Sequence, residues 1–126
     1  MNPKFQIATD YMRQHLDQKL PLSKLTDSVA LSSSQLCYIF KTETGKSPMQ
    51  YLTKLKMDRA IELLDAPMFS IKEVMVNVGY TNASLFSRHF KKAHGVSPSK
   101  YREQNRVIFP DGTDRQTVIS DNKSED

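Results

Sequence analysis

The chain of 126 residues has no tryptophan, one cysteine and four glycines. No apolar run approaches the roughly 18 residues of a membrane span, and no signal-peptide pattern opens the chain at Met1–Phe5. The lone Cys37 excludes a disulfide framework and a cysteine-based zinc site, and fits a reducing cytosol. His15, His89 and His94 lack metal-ligand spacing, so no metal is expected. No nucleophile–base pair, phosphate loop or pair of carboxylates is evident, so neither an enzyme nor a cofactor is expected. The remainder is globular in composition, 38% apolar and 25% charged. Its length suits one compact domain, or two very small ones sharing a core.

Charge is unevenly spread. Residues 1–65 hold nine Lys/Arg against seven Asp/Glu, residues 66–109 seven against two, and residues 110–126 two against five. A basic body of about +7 therefore precedes an acidic tail of about −3, and a basic body points to a polyanionic partner. The tail after Arg106 (107–126) is mostly polar, with Phe109-Pro110-Asp111-Gly112 reading as a turn, and is expected to be disordered.

Helix signals dominate the rest, and the fold class expected is all-α. Phe5, Ala8, Tyr11, Met12 and Leu16 recur at helical spacing, predicting a first helix that ends near Leu20-Pro21. Ser47-Pro48 and Ser97-Pro98 each place an N-cap serine before a proline at the first helical position. Ser32 with Gln35, Ser47 with Gln50, and Ser70 with Glu73 have capping-box spacing. Gly45 and Gly95 stand where a helix would stop in the left-handed conformation.

The repeated caps are 50 residues apart, and the offset extends further. Ser34, Phe40, Lys41, Gly45, Ser47, Pro48 and Tyr51 recur as Ser84, Phe90, Lys91, Gly95, Ser97, Pro98 and Tyr101, while Leu36 matches Phe86. Upstream the offset is 49, pairing Leu22, Leu25 and Val29 with Ile71, Val74 and Val78. The slip makes the second turn, which contains Gly79, one residue longer. This is a tandem duplication of a helix–turn–helix unit.

The second helix of each unit separates into two faces. Leu36, Ile39 and Phe40 form one seam, and Phe86, His89 and Phe90 the other. Opposite them lie Ser34, Cys37, Tyr38 and Lys41 in the first unit, and Ser84, Ser87, Arg88 and Lys91 in the second. Neither outer face carries Asp or Glu. Short polar groups beside a long cation are what a helix pressed into a major groove requires, whereas a merely solvated face usually mixes in acids. Arg88 is the exposed arginine able to bond a guanine twice, and Lys41 and Lys91 suit phosphates.

The connecting helix, about Pro48 to Asp65, places Tyr51, Leu52 and Leu55 on one side and Met57, Ala60, Ile61 and Leu64 on the other. It is expected to bury each half in a different small core. At about 27 Å long it can separate the two outer faces by nearly one duplex turn, roughly 34 Å. One chain, as a monomer, would then reach two successive major-groove segments.

The stretches Leu31–Leu52 (LSSSQLCYIFKTETGKSPMQYL) and Ile71–Arg102 (IKEVMVNVGYTNASLFSRHFKKAHGVSPSKYR) resemble the DNA-binding domain of AraC/XylS-type transcription regulators. Gly79-Tyr80, Ser84 with Phe86, Phe90-Lys91, Gly95-Val96-Ser97-Pro98 and Tyr101-Arg102 carry the likeness, which extends over about residues 4–106. It implies seven helices: a first helix-turn-helix at about 22–43, a linker helix at about 48–65 and a second helix-turn-helix at about 71–94, all within a domain of residues 1–106. It also implies a bacterial transcription regulator, usually an activator, that binds double-stranded promoter DNA, contacts RNA polymerase and works in the cytoplasm on the nucleoid. By position it assigns base-facing roles to Ser34, Cys37 and Tyr38, and to Asn82, Ser84, Ser87 and Arg88; of these, Asn82 comes from the likeness alone.

Tyr38 stands where the family often has arginine, so guanine reading by the first unit is not expected. Its side chain suits a thymine methyl or a phosphate. A small-molecule sensing domain, present in many relatives, has no room before the first helix, which fits either a stand-alone regulator or a fragment of a longer one. The competing reading is a protein-interaction module of the same fold that contacts polymerase or another regulator without reading DNA. The remaining conspicuous residues have ordinary readings: Cys37 as an unpartnered thiol, His89 as a packed histidine, His94 at the negative end of its helix.

Overall fold

A computed structural model describes residues 2–104, and the tail expected to be disordered lies outside them. Among the described residues there are seven helices and no strand: α1 (Pro3–Gln14), α2 (Leu22–Val29), α3 (Ser33–Thr44), α4 (Pro48–Leu64), α5 (Ile71–Asn77), α6 (Ala83–His94) and α7 (Pro98–Gln104). The chain divides into two compact units between Lys56 and Met57, inside α4.

The helix starts follow the serines. Ser32 accepts from the Gln35 amide, and the Gln35 side chain accepts from the Ser32 amide, so both arms of the capping box are made. Ser70 and Glu73 close the same reciprocal pair at α5, and Ser47 and Gln50 do so at α4. Ser97 accepts from the Lys100 amide at α7. Each box satisfies two backbone donors that a helix start otherwise leaves open. At the other ends, α3 and α6 stop at Gly45 and Gly95 with φ of +76° and +85°.

In the first unit α1, α2, α3 and the start of α4 enclose Phe5, Met12, Leu25, Leu36, Phe40 and Leu52. Phe5, Phe40 and Tyr51 form an aromatic trio, with the Phe40 and Tyr51 rings 5.6 Å apart at 64°. In the second unit the end of α4 with α5, α6 and α7 encloses Met57, Leu64, Val74, Val78, Phe86 and Phe90. There Phe90 meets Tyr101 at 6.0 Å and 68°, so the duplicated pair keeps its edge-to-face geometry. Helix α4 serves both cores in the way its sequence predicts: Tyr51, Leu52 and Leu55 belong to the first, and Met57, Ala60, Ile61 and Leu64 to the second.

Both helix-turn-helix turns close in the same pattern. The Leu31 amide reaches the Thr26 carbonyl and the Ala30 amide that of Asp27; 49 residues on, Tyr80 reaches Met75 and Gly79 reaches Val76. The pivot is left-handed in each, Ala30 at φ +54° and Gly79 at φ +79°. The next residue, Leu31 or Tyr80, turns into its core. Glycine adopts this conformation without strain, whereas alanine's Cβ crowds the following carbonyl.

Helix α1 ends at Gln14, six residues before the expected end near Leu20. The helical spacing runs on to Leu16 but does not decide the end. At the end itself the His15 ring nitrogen lies 2.8 Å from the Tyr11 carbonyl, and beyond it the Lys56 ammonium, from α4, donates to the Leu16 and Gln18 carbonyls at 2.7 and 2.9 Å. Leu20 still reaches the core. Burial pushes the Lys56 ammonium down to about 8, with Asp17 opposing the shift. The second unit has a counterpart in the buried Arg102, which donates to the Leu64 carbonyl at 3.0 Å and to that of Ala66 at 3.4 Å. Leu64 ends α4, where a carbonyl lacks its helical partner and a cation is favoured, while the Ala66 carbonyl just beyond also accepts from the Phe69 amide.

Two stability predictions follow from these ends. Arg102→Met should cost about 2 kcal/mol in urea unfolding, since it takes the side-chain donor from the buried Leu64 carbonyl. Ala30→Gly should raise stability by up to about 1 kcal/mol by relieving the left-handed turn, less the entropy that glycine returns to the unfolded chain.

Candidate nucleic-acid interface

Helices α3 and α6 are pinned along one side and open on the other. Leu36 and Phe40 of α3, and Phe86 and Phe90 of α6, are at most 1% exposed. An i, i+4 pair buried this completely leaves the opposite face turned outward. Ser34, Tyr38 and Lys41 are exposed on α3, with Cys37 half-buried beside them. On α6, Ser84, Arg88 and Lys91 are exposed and Ser87 is half-buried. Within each unit the predicted residues thus share one outward helical face.

Asn82 stands apart from this set. It is exposed, but it is the N-cap of α6, and its Oδ1 accepts from the Leu85 amide at 2.9 Å. The oxygen is engaged in starting the helix, and the amide nitrogen keeps both of its hydrogens for a ligand. Gln35 is committed more fully: its Oε1 accepts from both the Ser32 amide and the Ser32 hydroxyl.

The second face is strongly basic. Helix α6 carries no acidic residue, and Lys91, Lys92 and His94 occupy its last turn. His94 turns inward, its Nε2 bonding the Met57 carbonyl at 3.0 Å while its ring packs 4.6 Å from Phe90. His89 is a packed histidine, as its place on the seam predicts. Its Nδ1 lies 2.6 Å from the Tyr80 hydroxyl, and the two rings meet edge to face. Burial first, then the nearby charges of Arg88 and Lys92, hold the imidazole below its ordinary value.

Among the described residues no three His, Cys, Asp or Glu side chains gather to hold a metal, and no helix is long and apolar enough to cross a membrane. The carbonyl-binding roles of Lys56 and Arg102 were missed by the sequence reading. For Arg102 a signal existed: at the repeat offset it pairs with Leu52, a core position, so a cation there had to be buried and satisfied.

The family model for a helix-turn-helix domain matches residues 25–104, from within α2 to the end of α7. The chain belongs to the AraC-type helix-turn-helix family. It is similar to the MmsAB operon regulatory protein of Pseudomonas aeruginosa, with 40% identity over 96 residues, 76% of this chain and 31% of that protein. It is also similar to the lactose operon transcription activator of Staphylococcus xylosus, with 32% identity over 81% of this chain and 37% of that protein. The chain thus spans about a third of the length of these curated relatives. Among solved structures it matches the C-terminal domain of AraT, a response regulator from Geobacillus stearothermophilus, with a TM-score of 0.79 and 36% identity, covering 84% of this chain and 88% of that one. AraC-type domains bind double-stranded DNA, and the family is one of transcription regulators rather than enzymes.

The His89 arrangement gives a signed pH dependence. With its folded value below the unfolded one, the unfolded chain binds more protons in the interval between them, and stability falls as pH drops through it. Urea unfolding from about pH 7 to about pH 5 should show this loss, and His89→Gln should flatten that part of the profile relative to the parent.

Proposed function

We propose that this AraC-type chain is the DNA-reading part of a sequence-specific transcription regulator, with α3 and α6 as its two recognition helices. The observation that carries the reading is the pair of outward faces, each set by a buried seam, bearing short polar groups and a cation and no acid. In this reading the first helix-turn-helix covers about 22–43 and the second about 71–94 of a domain of residues 1–106, and the two helices enter successive major-groove segments of a promoter. Ser34, Cys37, Tyr38, Ser84, Ser87 and Arg88 face bases, the Asn82 amide nitrogen joins them at the start of α6, and Lys41 and Lys91 hold phosphates.

Activation is the direction favoured, since the Staphylococcus xylosus relative is named as an activator. Contact with RNA polymerase, action as a monomer and a place on the cytoplasmic nucleoid complete the proposal. Nothing on the two faces favours the alternative of an interaction module that ignores DNA.

Selection of binding duplexes from a random library, followed by gel shifts at two salt concentrations with nonspecific competitor, tests the reading. A regulator enriches a defined site; an unenriched pool overturns the assignment. On that site Arg88→Ala should cost about 1–3 kcal/mol and relax the preference for guanine at one position. Lys41→Ala and Lys91→Ala should weaken every sequence alike and lower the salt slope by about one. Uniform weakening by Arg88→Ala would make Arg88 a phosphate clamp instead.

A further inference from the structure

The two recognition faces are duplicated in sequence but differ in chemistry. On α6, Arg88 is exposed and can bond a guanine edge twice. Helix α3 contains no arginine and no asparagine. Its one side chain capable of bonding an adenine edge twice is Gln35, and the Gln35 Oε1 is held by the Ser32 amide and hydroxyl at 3.0 and 3.2 Å. Using it on a base would dismantle the start of the helix that presents it. What α3 does present is Tyr38, 72% exposed, with Ser34 and the half-buried Cys37 on the same face and Lys41 one turn further on. A large ring left in water on an otherwise small-residue face gains by meeting an apolar group. Thymine is the base whose major-groove edge offers one, its 5-methyl.

We propose that the half-site under α3 is read through a thymine methyl packed against Tyr38, while the half-site under α6 is read through guanine by Arg88. Tyr38 is thus the specificity-determining residue of the first unit. The inference rests on the regulator reading above, and it assigns the two halves of the binding site different base chemistry.

The test uses the full chain and the duplex enriched by selection. Each thymine in that duplex is replaced in turn by deoxyuridine, which removes only the methyl. One thymine in a single half-site should prove sensitive, its demethylation weakening binding about fourfold, the weight of one buried methyl group. Tyr38→Phe should keep the preference for thymine over deoxyuridine at that position, since the ring and not the hydroxyl meets the methyl. Tyr38→Ala should lose at least as much as demethylation does and no longer distinguish thymine from deoxyuridine at that position. Because Tyr38 lies outside the core, both variants should keep the parent's circular dichroism.

Neutral deoxyuridine at every position overturns the inference. So does a loss in Tyr38→Phe equal to that in Tyr38→Ala, which would place the hydroxyl on a phosphate. If selection yields a guanine position dependent on Arg88 and no methyl dependence, this inference alone falls. If no site is enriched, the regulator reading falls with it.

Discussion

A helix can offer one face to a ligand only if the opposite face is immobilised, and here two pairs of side chains impose that constraint. Leu36 with Phe40, and Phe86 with Phe90, are buried one helical turn apart. Each phenylalanine is worth about 2–3 kcal/mol of burial, and its ring is further fixed by the duplicated tyrosine, Tyr51 or Tyr101. The outward direction of Ser34, Tyr38, Arg88 and the lysines follows from this, because the seam sets it. Loosening either phenylalanine would free its helix to roll and turn the outer face away from the direction the seam imposes.

Much of this was legible because it is local or repeated. Capping boxes need only a serine and an acceptor three residues apart, and the backbone geometry then follows. The seam follows from the helical period, and the split burial of α4 from two apolar clusters on opposite sides of one helix. The duplication did the rest, since every feature of one unit could be checked against the other. The left-handed pivot was harder to see in the first unit, where alanine occupies the place that Gly79 marks in the second.

The features that escaped the sequence depend on partners far along the chain. The segment after α1 is held by Lys56, 40 residues beyond Leu16, and the end of α4 by Arg102, 38 residues beyond Leu64. Periodicity has no term for such reach. Asn82 shows a different limit. Its position in the family pattern assigns it to the ligand, whereas its side-chain oxygen is already spent on the backbone of α6. A residue type suited to two roles does not reveal from sequence which atom serves which.

The Lys56 clamp behaves differently from a lysine held by a carboxylate. Two of its partners are carbonyl oxygens, each needing one N–H, and a neutral amine still carries two hydrogens. Loss of the proton therefore leaves the loop after α1 tied down while removing the cost of keeping a charge away from water. With its value at about 8 in the fold against about 10.5 in the free chain, mild alkali shifts this one group's contribution in favour of the native state. An ion-paired lysine would do the reverse, giving up its partner as the medium turned basic. The joint between α1 and α2 is thus fastened by a side chain that acts as a donor in either charge state.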